Sequence, residues 1–191
     1  MTEKQIEYGF WYWDKTNNFP PDSITYPDQY KGQSKLNIAC SQIFGITPTQ
    51  QKKLVKEWVD FLPNCKDVEM LWFTTRLTQE LFESVCKLKN LIGLNIKWSS
   101  IQTLDNILKL TSLKYLGIGS SAKVESIKPL TTLTNLEVLD IENFKKIRDF
   151  SPLSNFLPPQ VLTAAVWLLA NGQLETSMQV LLNTPPWLMA H

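Results

Sequence analysis

One phrase, written three times, constrains this chain more than anything else in it. It reads Leu88-Lys-Asn-Leu91-Ile-Gly-Leu94-Asn-Ile96, then Leu110-Thr-Ser-Leu113-Lys-Tyr-Leu116-Gly-Ile118, then Leu133-Thr-Asn-Leu136-Glu-Val-Leu139-Asp-Ile141. The steps are 22 residues (88 to 110) and 23 residues (110 to 133). Spacing and residue type recur together, which marks a stacked repeat architecture: one such unit cannot bury its apolar face alone. A fourth line, Leu62-Pro-Asn-Cys65-Lys-Asp-Val68-Glu-Met70, fits with Cys in a Leu place, 26 residues ahead (62 to 88). The extra length falls in 77–88, where Leu77, Leu81, Phe82, Val85 and Leu88 predict a short amphipathic helix.

Ahead of the repeats, Glu7 to Trp13 alternates aromatics, with Tyr8, Phe10 and Tyr12 on one face and Trp11 and Trp13 on the other. That pattern predicts a strand. The segment 14–33 carries Pro20, Pro21, Pro27 and Gly32 and reads as a loop. Leu36, Ile38 and Cys40 alternate, which predicts an inward-facing strand beside the first one. Thr47-Pro48 then opens a helix over 48–62 with Leu54, Val55, Trp58, Phe61 and Leu62 on one stripe. Residues 1–61 thus read as an N-terminal β/α cap in which Leu36 and Ile38, backed by that helix, fit a divergent fifth repeat.

The half-phrase Val124-Glu-Ser-Ile127-Lys-Pro129-Leu130-Thr-Thr-Leu133-Thr-Asn-Leu136, echoed at Ile147-Arg-Asp-Phe150-Ser-Pro152-Leu153, resembles leucine-rich repeat proteins. Within that group it is similar to the bacterial, internalin-like class. The resemblance covers residues 62–156. It implies an α/β leucine-rich repeat solenoid with parallel strands on the concave face. A departure is the place after the strand, where the family usually carries an Asn ladder. Counted from Cys65, Leu91, Leu113 and Leu136, that place holds Phe73, Ser99, Ser121 and Phe144.

Residues between the aliphatics should point onto the concave side. On this count Leu71 and Trp72 face out at level one, Ile92, Gly93, Asn95, Lys97 and Trp98 at level two, Lys114, Tyr115 and Gly117 at level three, and Glu137, Asp140 and Glu142 at level four. Trp72 and Trp98 fall at the same place in successive repeats. With Leu71, Ile92 and Tyr115 they make an aromatic-aliphatic patch flanked by Lys97 and by acidic Asp140 and Glu142. Either this patch binds a protein partner, or the N-terminal cap or the 14–33 loop folds over its rings.

Other chemistry finds little support. The sole histidine is His191, so no Ser-His or Cys-His pair can form on it within the repeats. No Gly-rich phosphate loop follows a strand. Asp140 and Glu142 alone are a thin ligand set for a hard cation. No catalysis, cofactor or metal is expected. Nineteen basic against eighteen acidic residues, net +1, give no footprint for nucleic acid. Cys40, Cys65 and Cys86 lack metal or redox spacing and suggest buried thiols in a reducing compartment. The N-terminus shows no leader-like apolar run, and the apolar stretch 161–170 is half the roughly 20 residues of a membrane helix. A cytoplasmic protein is expected.

The phrase stops at Pro158-Pro159. Residues 157–191 read as a helical hairpin with almost no charge: a C-terminal cap, a homodimer surface, or a tail foreign to the fold. Together these patterns point to a non-enzymatic protein-interaction module, of adaptor, regulator or inhibitor type, binding through its concave face. The alternative is a repeat protein that self-associates through the apolar hairpin.

Overall fold

The structure, a computed structural model, describes residues 4–5 and 9–155. The 157–191 hairpin, with its cap and dimer readings, lies outside the described residues. Five short strands, β1 (Lys35–Ile38), β2 (Met70–Phe73), β3 (Gly93–Ile96), β4 (Tyr115–Ile118) and β5 (Val138–Ile141), form one parallel sheet in chain order. Parallel neighbours need a long return path. That path holds helix α1 (Pro48–Phe61) between β1 and β2, and helix α2 (Gln79–Val85) between β2 and β3. Later returns shrink to the 3-10 segments Asp105–Lys109, Lys128–Thr132 and Ser151–Asn155.

The register explains the core. Leu36, Leu71, Leu94, Leu116 and Leu139 stand side by side in one row, and Ile38, Phe73, Ile96, Ile118 and Ile141 in a second. Both rows are buried with Leu54 and Trp58 of α1 and Leu81, Phe82 and Val85 of α2 in one continuous cluster. α1 is fixed at its start by a capping box. The Thr47 hydroxyl accepts from the Gln50 N–H at 3.3 Å, and Gln50 Oε1 accepts from the Thr47 N–H at 2.7 Å. Thr78 caps α2 by accepting from the Leu81 N–H at 3.3 Å. The Trp58 indole N–H donates to the Thr25 carbonyl at 2.7 Å, tying the 14–33 loop to the helical side.

Two expectations need correction. Residues 9–13 are not a strand. Gly9 has a left-handed φ of 92°, and its carbonyl accepts from the Tyr12 N–H at 3.1 Å, so the chain turns there. β1 therefore pairs with β2, and among the described residues its other edge bridges to Ile24, whose N–H donates to Asn37 O and whose carbonyl accepts from the Ala39 N–H, both at 2.9 Å.

The level-one count slips by three residues. Met70 pairs with Gly93 and Phe73 with Ile96, so Cys65, Val68, Leu71 and Phe73 occupy the places of Leu88, Leu91, Leu94 and Ile96. A Leu-x-x-Leu pattern matches itself when moved by one Leu-x-x unit, and Leu62 supplied a false start. The strand starts are then 23, 22 and 23 residues apart (70, 93, 115, 138). Leu71 faces the core at 0 % exposure and not a partner. Phe73 leaves the post-strand place, which at that level belongs to Arg76. The Ser99 and Ser121 hydroxyls there are hydrogen-bonded at 2.7 Å, while Phe144 packs into the core.

Leu71→Ala should cost about 2–5 kcal/mol in denaturant unfolding; a cost of a few tenths would return it to the outer face. Cys40, Cys65 and Cys86 are free and buried, and burial pushes their thiols up to about 12, 11 and 12 respectively. Native protein should label slowly with a thiol reagent and unfolded protein fast.

Candidate functional site

The second face of the sheet is defined by the residues that alternate with the core rows. One outward row runs Lys35, Met70, Gly93, Tyr115, Val138; the other runs Asn37, Trp72, Asn95, Gly117, Asp140. This face is partly apolar, and the N-terminal segment covers it. Phe10, Met70, Trp72 and Val138 form a second buried cluster, with Trp11, Phe19, Ile92 and Tyr115 packed around them.

The covering segment is shaped by its own bonds. Asp14 and Phe19 form an antiparallel bridge, with the Asp14 N–H donating to Phe19 O at 2.8 Å and the Phe19 N–H to Asp14 O at 3.1 Å. Inside this clasp the Asp14 carboxylate accepts from the Thr16 N–H at 3.0 Å, the Thr16 hydroxyl at 2.6 Å and Asn17 Nδ2 at 2.9 Å. The Thr16 hydroxyl, more than Lys4 at 3.9 Å, holds the Asp14 carboxyl below its ordinary value. Asn18 takes the left-handed conformation at the tip. The clasp brings Phe10, Trp11 and Phe19 to one side as a strap of rings.

Those rings meet the sheet in specific geometries. Phe10 stacks on Tyr115 at 4.2 Å and 18°. Trp11 and Phe19 meet Trp72 edge-on at 5.9 and 5.1 Å. Gly117 leaves the space that the Trp11 indole fills, and Gly93 leaves the space for the Met70 thioether beside it. A Cβ on Gly117 would lie 2.7 Å from Trp11 Nε1 and 2.5 Å from Asn95 Nδ2, and one on Gly93 would collide with Met70 and lie 3.5 Å from Trp11 Cη2. Asn37 Nδ2 donates to the Pro21 carbonyl at 2.9 Å, where the segment leaves the face.

The fit is incomplete in its polar atoms. Trp11 Nε1, Trp72 Nε1 and Asn37 Oδ1 are buried and make no hydrogen bond. A buried polar atom in that state costs about 1–3 kcal/mol.

The expected partner-binding residues therefore divide. Trp72 and Tyr115 do come together, but Trp72 is only 3 % exposed, beneath the strap. Of the two alternatives for these rings, covering by the N-terminal segment is the one found. Trp72 and Trp98 are not in equivalent places: Trp72 pairs with Asn95, and Trp98 lies two residues past the end of β3. Trp98 is 41 % exposed, donates from Nε1 to Thr74 O at 3.2 Å, and carries the Lys97 ammonium 5.0 Å over its ring. Lys97 and Glu142 are exposed, and Asp140 is half-buried. Burial first, then Glu137, holds the Tyr115 hydroxyl above its usual pKa; Glu137 also pairs with Lys114 at 3.0 Å. Among the described residues no cluster of three or more His, Cys, Asp or Glu could hold a metal, and no helix is long and apolar enough to cross a membrane.

The sequence pattern left open that the N-terminal segment covers this patch, but it did not assign Phe10, Trp11 and Phe19 as the covering rings or Gly93 and Gly117 as the places beneath them. The outward placement of both glycines was visible, and a missing side chain in an outward row was the available signal.

Residues 111–155 match the family model described as leucine rich repeats, in two copies. Leucine-rich repeats are generally non-enzymatic and mediate protein–protein interaction. No curated protein matches the chain.

Burial first, then Glu142, raises the Asp140 pKa. A raised folded value means the native state favours protonated Asp140. That stability is fully present below the unfolded value of 3.8 and is lost as pH rises through the folded value. Asp140→Asn should raise the thermal midpoint near pH 7 and leave it unchanged near pH 3, by calorimetry at both.

Proposed function

We propose that this protein, with leucine-rich repeats at 111–155, is a non-enzymatic interaction module that binds another protein through the concave face of a repeat solenoid. One observation carries the reading: the face accepts a peptide, since residues 10–21 of the chain itself lie on it ring against ring. A surface that packs one aromatic segment in ordinary geometry has the chemistry to pack another.

The uniform register from β1 to β5 supports extending the repeats back to residue 35. Pro129 and Pro152, near the starts of the 3-10 segments Lys128–Thr132 and Ser151–Asn155, support the internalin-like class. Three free buried thiols support a reducing, cytoplasmic setting.

The open part of the face is its rim. There Trp98, held by Thr74 and overlaid by Lys97, offers large area with few rotatable bonds. Glu142 adds charge selectivity toward a basic partner surface.

Affinity capture from the source organism, read by mass spectrometry with wild type and Trp98→Ala side by side, tests this. The variant should lose about 2 kcal/mol of partner affinity at an unchanged thermal midpoint. Equal capture by both proteins would remove the rim from the binding site.

A further inference from the structure

We infer that residues 10–19 are an intramolecular ligand, and that the partner presents a peptide segment with an adjacent aromatic pair that takes the place of Phe10-Trp11 over Gly93 and Gly117. The inference rests on the sheet face being the binding surface, and it names the kind of partner that surface fits.

The receptor is a ring-sized cradle. Trp11 lies diagonally across two strands, its five-membered ring over Gly117 of β4 and its far edge over Gly93 of β3. Trp72 closes one side edge-on, and Tyr115 supports the neighbouring Phe10 face to face. Any side chain at Gly117 would fill the space the indole occupies. The cradle therefore selects a flat ring, and Tyr115 beside it selects a second ring next in sequence.

The resident occupant is held in a way that permits exchange. Its shape comes from the Asp14–Phe19 clasp and the Asp14 side chain, which do not depend on the sheet. The main core of sheet and helices contains none of Phe10, Trp11 or Phe19, so it stays intact when they leave.

The atoms left without partners identify the replacement. Trp72 Nε1 lacks an acceptor and Asn37 Oδ1 lacks a donor, both within the covered face. A peptide backbone brings a carbonyl for the first and an N–H for the second. A lipid tail brings neither. An incoming peptide that matches the ring contacts and also reaches these two atoms makes hydrogen bonds the strap leaves unmade. Until it does, its apparent affinity is reduced by the fraction of molecules whose strap is lifted.

The test uses the full chain and a fluorescein-labelled synthetic peptide of residues 9–21, read by anisotropy. Phe10→Ala/Trp11→Ala, with its fold checked by circular dichroism, should bind the peptide about tenfold tighter than wild type or more. Gly117→Val added to that variant should abolish binding, as should Trp11→Ala in the peptide. If the double variant does not fold, Trp11→Phe replaces it and should bind the peptide more tightly than wild type does; equal binding overturns the inference.

Absence of peptide binding to the open form, or binding that Gly117→Val leaves unchanged, overturns the inference. Wild-type dimers in light scattering that the Phe10→Ala/Trp11→Ala variant loses would also overturn it, making a second copy the occupant. The assay needs no cellular partner, so its failure leaves capture through Trp98 standing. Peptide binding without Trp98-dependent capture would instead retire the rim and keep the strap.

Discussion

The parallel register is the constraint on which the rest of this molecule depends. It lines up five leucines and, beside them, four isoleucines with Phe73, so that each strand completes the burial of the one before it. A strand of four residues has little stability by itself. Here the two inward side chains of each strand join a core shared with the helical layer. Because side chains alternate, fixing the inward rows also fixes the outward ones. Asn37, Trp72, Asn95, Gly117 and Asp140 have no freedom to face elsewhere once the leucines are seated.

That outward surface poses the opposite problem. Met70, Trp72, Tyr115 and Val138 would leave a contiguous apolar patch on water. The chain answers with three rings on a clasped loop, and the two faces of the sheet are covered by different means. Aliphatics pack against helices on one side, and aromatics meet edge-on or stacked on the other. The first interface satisfies its backbone groups within the sheet and the caps. The second leaves two indole N–H groups and an amide oxygen unmet, against the Tyr30 hydroxyl on the first. The two halves of the fold therefore differ in how firmly they are committed.

The legibility of these features in the sequence followed their physics. Leucines at fixed spacing signal the repeats strongly, because burial in a shared core demands the same residue at each level. The three lines starting at Leu88, Leu110 and Leu133 matched the observed strands in register. The line through Cys65 failed for a related reason: Leu62, Cys65, Val68 and Leu71 are apolar at every third place, so the pattern alone cannot say which one begins. Only pairing of Met70 with Gly93 decides it. Covering of the outward rings by the N-terminal segment was legible as one of two alternatives, but its clasped, turning shape was not. Alternating aromatics fit a strand equally well, and Gly9 turning the chain is a single-residue event. Gly93 and Gly117 were correctly placed outward, but an absent side chain acquires meaning only when something is seen to fill it.

The return paths shorten along the chain, from fourteen residues of α-helix in α1 to seven in α2 and then to five-residue 3-10 turns. Packed α-helices keep their axes about 8–10 Å apart, while paired strands sit about 4.8 Å apart. Where α1 packs on α2, the outer layer demands more room per strand than the sheet offers, and where slim turns follow one another the two layers match more nearly. The outer layer is thus bulkiest behind β1 and β2, the strands whose Asn37 and Trp72 meet the strap, and slimmest behind β5.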